Sequence, residues 1–234
     1  MKTEVITIDG PTSSGKNSVG FMLAQKLGYQ YIDSGSIYRA GCIFILRQQK
    51  KLRSKFIIRN NISLDDVDKL VEIYKNLKIE IKLEDHGQRF LANGEDVTDI
   101  LHNPAITKIV PPVSAIQEVR NTTKLIQYRL ASVKNTVMTG RDIGSEIFPD
   151  AKFKFFLTAS AEVRAQRRYQ QLKEKDPAQT YEQVLEDMEQ RDKRDSEREA
   201  SPMRMPKDAV TIDNTNLTVE QTVEEMLKHI HAPA

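Results

Sequence analysis

The chain has 234 residues, of which 39% are hydrophobic and 29% are charged, as is typical of a soluble globular protein. Its 35 Lys and Arg against 33 Asp and Glu leave a formal charge of +2, so no overall basic field indicates a nucleic-acid partner. The longest apolar run, 40–46, is too short to cross a membrane, and no membrane partner is expected.

The first fifty residues alternate between strand and helix patterns. Residues 4–10 form a β-branched run that predicts a buried parallel strand. Residues 17–28 carry apolar side chains at helical spacing and end in Gly28, which suits a helix C-cap. A second strand is predicted at 29–33 and an apolar helix at 36–49, which contains the only cysteine, Cys42. Cys42 is predicted to be a buried thiol in a reducing cytoplasm.

The pattern changes near Asn60. A helix is predicted at 63–77, an alternating strand at 78–84, and a hairpin at 88–98 with an Asn93-Gly94 turn. These elements predict a small α+β insert, residues 61–106, within a core formed by 1–60 and 107–234.

Strand and helix patterns return after the insert. Helices are predicted at 113–132, 161–176, 180–201 and 218–231, and strands within 135–144, at 152–160 and at 208–213. The predicted fold class is therefore α/β, a doubly wound core with a parallel sheet.

Residues 8–18, IDGPTSSGKNS, match the G-x-x-x-x-G-K pattern of a phosphate-binding loop, or P-loop. Glycines in such a loop permit a nest of N–H groups that converge on phosphate oxygens, and the following helix adds its dipole. The lysine of the pattern can reach the β- and γ-phosphates of a nucleotide. The predicted ATP-binding residues are Gly10, Pro11, Thr12, Ser13, Ser14, Gly15, Lys16, Asn17 and Ser18.

The residue after Lys16 is Asn17, where many P-loop proteins have Ser or Thr to help hold magnesium. Nucleoside-monophosphate kinases commonly place a small residue there and Ser or Thr next, and Ser18 follows that order. We therefore predict a kinase loop that uses Mg²⁺ with ATP, with Ser18 as the hydroxyl ligand.

Two polar segments follow predicted strands, where an open α/β sheet presents ligand groups. In 33–39, DSGSIYR, Ser34 offers a hydrogen bond, Tyr38 a wall for a base and Arg39 a clamp for a phosphate, although a Ser-Gly turn before an ordinary helix would look similar. In 140–151, Asp142 lies where a metal-organising acid is found. The alternative for Arg141 and Asp142 is a surface ion pair.

Two predicted helices concentrate arginines on one face. Arg191, Arg194, Asp195 and Arg198 are spaced i, i+3, i+4 and i+7, so three cations and one acid lie together. Arg164, Arg167 and Arg168 form a similar cluster. Such cations repel each other unless an anion lies among them, and near a transferring phosphoryl group they stabilise its charge. A solvated surface helix is the alternative in both cases.

Taken in order, these motifs closely resemble the bacterial type of cytidylate kinase over nearly the whole chain. The segments that carry the resemblance are ITIDGPTSSGK, DSGSIYR, GRDIGSEIFPDA and QRDKRDSER. The resemblance implies a cytoplasmic monomer with a P-loop three-layer α/β/α core, a nucleoside-monophosphate-binding insert and a short helical lid at about 161–180. It implies ATP and CMP or dCMP as substrates, and an insert and lid that close to exclude water.

The resemblance also implies the site residues. Those for CMP are Ser34, Tyr38, Arg39, Arg120, Arg141, Asp142, Arg191, Asp195 and Arg198, and those for catalysis are Lys16, Arg141, Asp142, Arg164, Arg168 and Arg194. One departure is Pro111, which stands where relatives commonly have a ligand-contacting serine. Proline has neither a hydroxyl nor an N–H to make that contact.

Three other functions remain open on the residues alone. The nearest is a P-loop kinase of another small acceptor, such as UMP, shikimate or a sugar acid. A regulatory switch that binds GTP is another, although the chain has no N-K-x-D base-reading motif. The third is a nucleic-acid-binding module, against which the charge of +2 argues.

Overall fold

The computed structural model describes residues 3–52, 64–84, 87–174 and 177–232. The strands are β1 (Val5–Asp9), β2 (Gln30–Asp33), β3 (Ile79–Glu84), β4 (Gly87–Ala92), β5 (Glu95–Asp96), β6 (Thr136–Thr139), β7 (Phe153–Thr158) and β8 (Val210–Asp213). The helices are α1 (Lys16–Leu27), α2 (Ser34–Leu52), α3 (Leu64–Lys75), α4 (Pro104–Ser114), α5 (Gln117–Ala131), α6 (Ala161–Lys173), α7 (Tyr181–Glu197) and α8 (Val219–His231).

The chain divides into two compact units. The first unit consists of Met1–Asp33 and Lys134–Ala234, and the second of Ser34–Val133. The predicted insert, 61–106, falls within the second unit, whose bounds are wider. The predicted lid, 161–180, falls within the first unit and covers α6, with residues 175–176 outside the described ranges.

The first unit is built on a five-stranded sheet in the order β2-β6-β1-β7-β8, with every pair parallel. This topology confirms the predicted α/β class. All five residues of β1 are buried at the centre of the sheet, and the first four of them, residues 5–8, are all β-branched. Helix α1 lies so close to the sheet at Gly20 that a side chain there would clash. A Cβ at this position would come within 2.6 Å of Thr139 and 2.9 Å of Tyr31.

The second unit combines α2 to α5 with the antiparallel sheet β3-β4-β5. Asn93 and Gly94 have φ angles of 53° and 80°, so the predicted hairpin turn is confirmed with both central residues left-handed. The Tyr74 side chain is fully buried against Gly41, where a Cβ would overlap its ring. Its hydroxyl donates to the Tyr38 carbonyl at 2.7 Å. Cys42 is buried as predicted, and burial raises its pKa to about 12.

The prediction of one helix over 113–132 is wrong. Two helices, α4 and α5, flank a break at Ala115–Ile116, and α4 contains Pro111 and Pro112 in its interior. Prolines there remove backbone bonds, so the sequence argued against a helix. Asn103 caps α4 by accepting the Ala105 N–H at 2.9 Å, and three buried apolar residues of α4 offset the cost, namely Ile106, Val110 and Val113.

Other boundaries differ by a few residues. Helix α2 begins at Ser34, directly after β2, two residues before the predicted start at 36, and it ends at Leu52, beyond the predicted end at 49. The helix predicted over 180–201 ends at Glu197, and that over 161–176 ends at Lys173. Position 63, where the helix of 63–77 was predicted to begin, lies outside the described residues. None of the helices in the described part of the chain is long and apolar enough to span a membrane.

Candidate active site

The P-loop joins the central strand β1 to α1. Gly10, Ser13 and Gly15 have positive φ angles of 148°, 60° and 90°, so left-handed residues alternate with others as in an anion-binding nest. A Cβ at Gly10 would overlap the Leu157 carbonyl of the neighbouring strand. The loop therefore requires glycine at position 10 for space as well as for conformation.

Lys16 is buried within the loop that carries it. Its Nζ donates to the Pro11 carbonyl at 2.5 Å and to the Ser14 hydroxyl at 3.1 Å. Burial, and then the positive charge of Arg141, lower the pKa of this ammonium well below its ordinary value. An incoming phosphate would stabilise the charged form of Lys16, because it brings a negative charge close to the buried ammonium.

Arg141 joins three parts of the first unit. Its Nη1 donates to the Gly10 carbonyl at 2.9 Å and its Nη2 to the Thr12 hydroxyl at 2.9 Å. Its Nε donates to Asp195 of α7 at 3.0 Å, and both side chains of that pair are largely buried. Arg141 and Asp195, both predicted acceptor residues, thus lie together at the mouth of the P-loop.

Asp142 forms an ion pair with Arg198. The distance from its Oδ1 to the Arg198 Nη2 is 3.5 Å, and both side chains are largely buried. The Arg198 Nε also donates to the Ser201 carbonyl at 2.8 Å, so the segment after α7 fixes this arginine. The Arg141–Asp195 and Asp142–Arg198 ion pairs thus both join the 140–144 segment to the α7 region.

Asp9, the last residue of β1, is a buried carboxylate that the sequence analysis missed. Its two oxygens accept the N–H groups of Ile143 at 2.8 Å and Gly144 at 2.7 Å. Burial, and to a smaller extent the charge of Asp142, raise its pKa to about 6 against the opposing effect of those hydrogen bonds. The available signal was an acid at the end of a run of four β-branched residues.

Asp192 is a second acid that the sequence analysis missed. Its Oδ1 accepts the Thr12 N–H at 2.8 Å and its Oδ2 accepts the Arg164 Nη1 at 2.5 Å. Arg164 is buried and also donates to the carbonyls of Thr12 at 2.9 Å and Ala159 at 3.1 Å. The signal was present, because Asp192 and Asp195 are three residues apart on one helix.

Asn214 supports the P-loop from the turn after β8. Its Nδ2 donates to the Ser14 carbonyl at 2.9 Å. Arg167 donates to the Asn214 side-chain oxygen at 3.0 Å and to its backbone carbonyl at 2.9 Å. Nothing in the local sequence indicated this residue, since asparagine is ordinary in a turn.

Four predicted residues lie in the second unit, and all four are buried. Ser34 begins α2, and Arg39 donates to the Leu101 carbonyl at 3.2 Å and the Thr107 hydroxyl at 2.8 Å. Arg120 lies over the Tyr38 ring at 5.6 Å from its centroid and donates to the Ser114 carbonyl at 3.0 Å. Tyr38 and Arg120 are thus brought together, as a stacked cation and ring.

The other predicted residues are less enclosed. Arg194 is exposed and its Nε donates to the Gln190 carbonyl at 3.2 Å, while Arg191 is only partly buried. Arg168 is partly buried, which lowers the pKa of its guanidinium. Asn17 is exposed and donates to Asp33 at 3.1 Å.

The side chains described near the P-loop include few groups that could coordinate a metal ion. The described residues contain no group of three or more His, Cys, Asp or Glu that could hold one. Ser18 offers an exposed hydroxyl in the first turn of α1, directly after the loop. A single hard oxygen fits Mg²⁺, which protein sites bind through few side chains, with phosphate oxygens and waters completing its shell.

Comparisons with known proteins agree with this geometry. The family model described as cytidylate kinase matches residues 6–232. A cytidylate kinase of Caldanaerobacter subterraneus subsp. tengcongensis is 44% identical over 228 residues, 97% of this chain and 95% of the relative. One of Caldicellulosiruptor saccharolyticus is 42% identical over 97% of this chain and 96% of its own length. One of Fusobacterium nucleatum is 35% identical over 98% of both chains. The chain therefore belongs to the cytidylate kinase family.

Proposed function

We propose that this protein transfers the γ-phosphoryl group of ATP to the 5′-phosphate of CMP and dCMP, giving ADP and the nucleoside diphosphate. The observation that carries the proposal is the gathering of three cations on one P-loop. Lys16 donates into the loop, Arg141 donates to its first residue and to Thr12, and Arg164 donates to the Thr12 carbonyl. Membership of the cytidylate kinase family supports the choice of acceptor.

Catalysis by these residues is electrostatic and geometric. A phosphate oxygen of CMP is already ionised at neutral pH, so the attacking group needs no strong base. Charge spreads over the equatorial oxygens of the transferring group, and guanidinium and ammonium donors held in place stabilise it. Lys16, Arg141 and Arg164 are each fixed by hydrogen bonds before substrate arrives, which reduces the reorganisation that the transition state requires.

Asp142 orders the acceptor side in this proposal. Its pairing with Arg198 holds a guanidinium of the α7 region beside the segment that carries Arg141 and Asp142. Arg198 would then bind the acceptor, while Asp142 fixes its orientation and does not act as a base. Asp195 supplies a carboxylate able to accept a hydrogen bond from the exocyclic amine of cytosine.

Tyr38, Arg39 and Arg120 are proposed to bind CMP through the second unit. Arg39 and Arg120 are buried arginines of this unit. Arg39 donates to the Leu101 carbonyl and the Thr107 hydroxyl, and Arg120 donates to the Ser114 carbonyl. These hydrogen bonds hold both guanidinium groups in place, and a guanidinium is well suited to bind a phosphate. Pro111 supplies neither hydroxyl nor N–H, so acceptor binding depends on these groups.

Mg²⁺ is proposed to enter with ATP, and Ser18 would hold it. When bound, the ion neutralises charge between the β- and γ-phosphates. Ser18 fits this part because its hydroxyl is exposed beside the P-loop.

The proposal is tested by ADP release measured separately with CMP, dCMP, UMP and AMP. We expect the highest kcat/KM with CMP and dCMP. Shikimate and a sugar acid serve as acceptors of the rival kinase classes, and GTP binding without turnover would support a regulatory switch. Turnover that is highest with any acceptor other than a cytidine monophosphate would contradict the proposal.

A further inference from the structure

We propose that Asp192 is a positioning residue that fixes Arg164 against the P-loop for phosphoryl transfer. The inference rests on the proposed function, because it assigns Arg164 to the transferring group. Asp192 lies on α7, Arg164 lies on α6, and both contact Thr12 in the loop. One carboxylate thus connects three separate parts of the first unit.

The geometry gives each oxygen of Asp192 a different task. Oδ1 accepts the Thr12 N–H at 2.8 Å, and Oδ2 accepts the Arg164 Nη1 at 2.5 Å. The same Nη1 donates to the Thr12 carbonyl at 2.9 Å, so acid, arginine and loop residue form a closed ring of contacts. The Arg164 Nε is held at the other end by the Ala159 carbonyl at 3.1 Å. The Arg164 side chain is therefore largely fixed in one conformation before ATP binds.

The placement of this acid would be unfavourable for binding alone. Its negative charge opposes the lowering of the Lys16 pKa, although less than that of Asp9 does, in a loop whose ligand is a polyanion. A carboxylate there repels nucleotide phosphates and weakens binding of the ground state. This repulsion is compensated if the Asp192 carboxylate preorganises Arg164. A cation fixed in advance contributes most where charge develops in the transition state. The expected signature is a role in turnover rather than in affinity.

Asp192→Asn isolates the arginine contact. Asparagine keeps one oxygen for the Thr12 N–H but places an amide N–H against the Arg164 Nη1, so two donors face each other. We expect kcat at saturating ATP and CMP to fall about tenfold to hundredfold, as misplaced catalytic groups generally cause. The KM for ATP should stay equal or fall, because a negative charge has left the anion site. A rise in that KM of tenfold or more with kcat within twofold would overturn the inference.

The control is Asp187→Asn, the same chemical change at an exposed position on α7. We expect its kcat and KM to stay within twofold of the wild type. If the loss in Asp192→Asn reflected damage to the helix alone, combining it with Arg164→Lys would lower kcat by both factors. If Asp192 acts through Arg164, the double variant should equal Arg164→Lys within twofold.

Two further outcomes would overturn the inference. One is a kcat of Asp192→Asn within twofold of Asp187→Asn, and the other is multiplicative loss in the double variant. Should Asp192→Asn fail to fold, Asp192→Glu against Asp187→Glu repeats the test, since the longer side chain displaces the carboxylate. Equal kcat values there would equally overturn it. Wild-type turnover tests the proposed function separately, and the variants are compared with whichever acceptor the wild type uses.

Discussion

Replacing Asp9 by asparagine removes a titrating carboxyl from the centre of the parallel sheet. Asp9 is fully buried, and its pKa is raised from 3.8 to about 6, chiefly by burial. The folded protein thus holds this proton more tightly than the unfolded chain, so the group favours folding as the pH falls. The destabilisation that results from burying the charged carboxylate is fully present above pH 6 and disappears below pH 3.8.

The size of the effect follows from that interval. A difference between 3.8 and about 6 corresponds to about 3 kcal/mol at roughly 1.4 kcal/mol per pH unit. Because the titration is spread over pH, about 1 kcal/mol of it is recovered between pH 7 and pH 5. Asparagine at position 9 does not titrate, so the free energy of unfolding of the Asp9→Asn variant lacks this pH-dependent contribution.

Urea unfolding of the wild type and Asp9→Asn at pH 5, 6 and 7 measures the difference directly. We expect the wild type to gain about 1 kcal/mol relative to the variant from pH 7 to pH 5. Asp187→Asn is the matched control, since Asp187 is exposed. A wild-type minus Asp9→Asn difference that is constant over this range would refute the argument that burial governs the carboxyl.

Two further substitutions test the loop and the second unit. Lys16→Ala should lower kcat with ATP by about a hundredfold or more, because it removes a cation that stabilises developing charge; unchanged turnover in steady-state kinetics would exclude that role. Gly41→Ala would ordinarily stabilise a helix by about 1 kcal/mol. Here we expect destabilisation of about 1–3 kcal/mol in thermal unfolding, because the new Cβ overlaps the ring of Tyr74, and a stabilised variant would contradict the packing described.

Features specified by neighbouring residues could be predicted from the sequence. The P-loop depends on glycines at fixed spacing between a strand and a helix, and Gly10 and Gly15 have the positive φ angles that this requires. The hairpin depends on Asn93-Gly94, whose two left-handed residues match the twist of the flanking strands. Each of these signals lies within about ten residues.

Features specified by distant residues could not be predicted in the same way. Asp192 contacts a loop residue 180 positions earlier, and Asn214 contacts one 200 positions earlier. Side chains of this kind carry no local pattern, because an acid on a charged helix or an asparagine in a turn is unremarkable by itself. Helix α4 was missed for a different reason, since burial of its apolar face overrides the preference of Pro111 and Pro112.

The strand order has a consequence for the synthesis of the chain. β1 leaves the ribosome first, yet its two neighbours in the sheet are Thr136–Thr139 and Phe153–Thr158. At typical translation speeds the interval before both partners exist is on the order of ten seconds. During that time β1 lacks both of its partner strands, so an apolar segment of the nascent polypeptide is open to aggregation until residues 136–158 emerge.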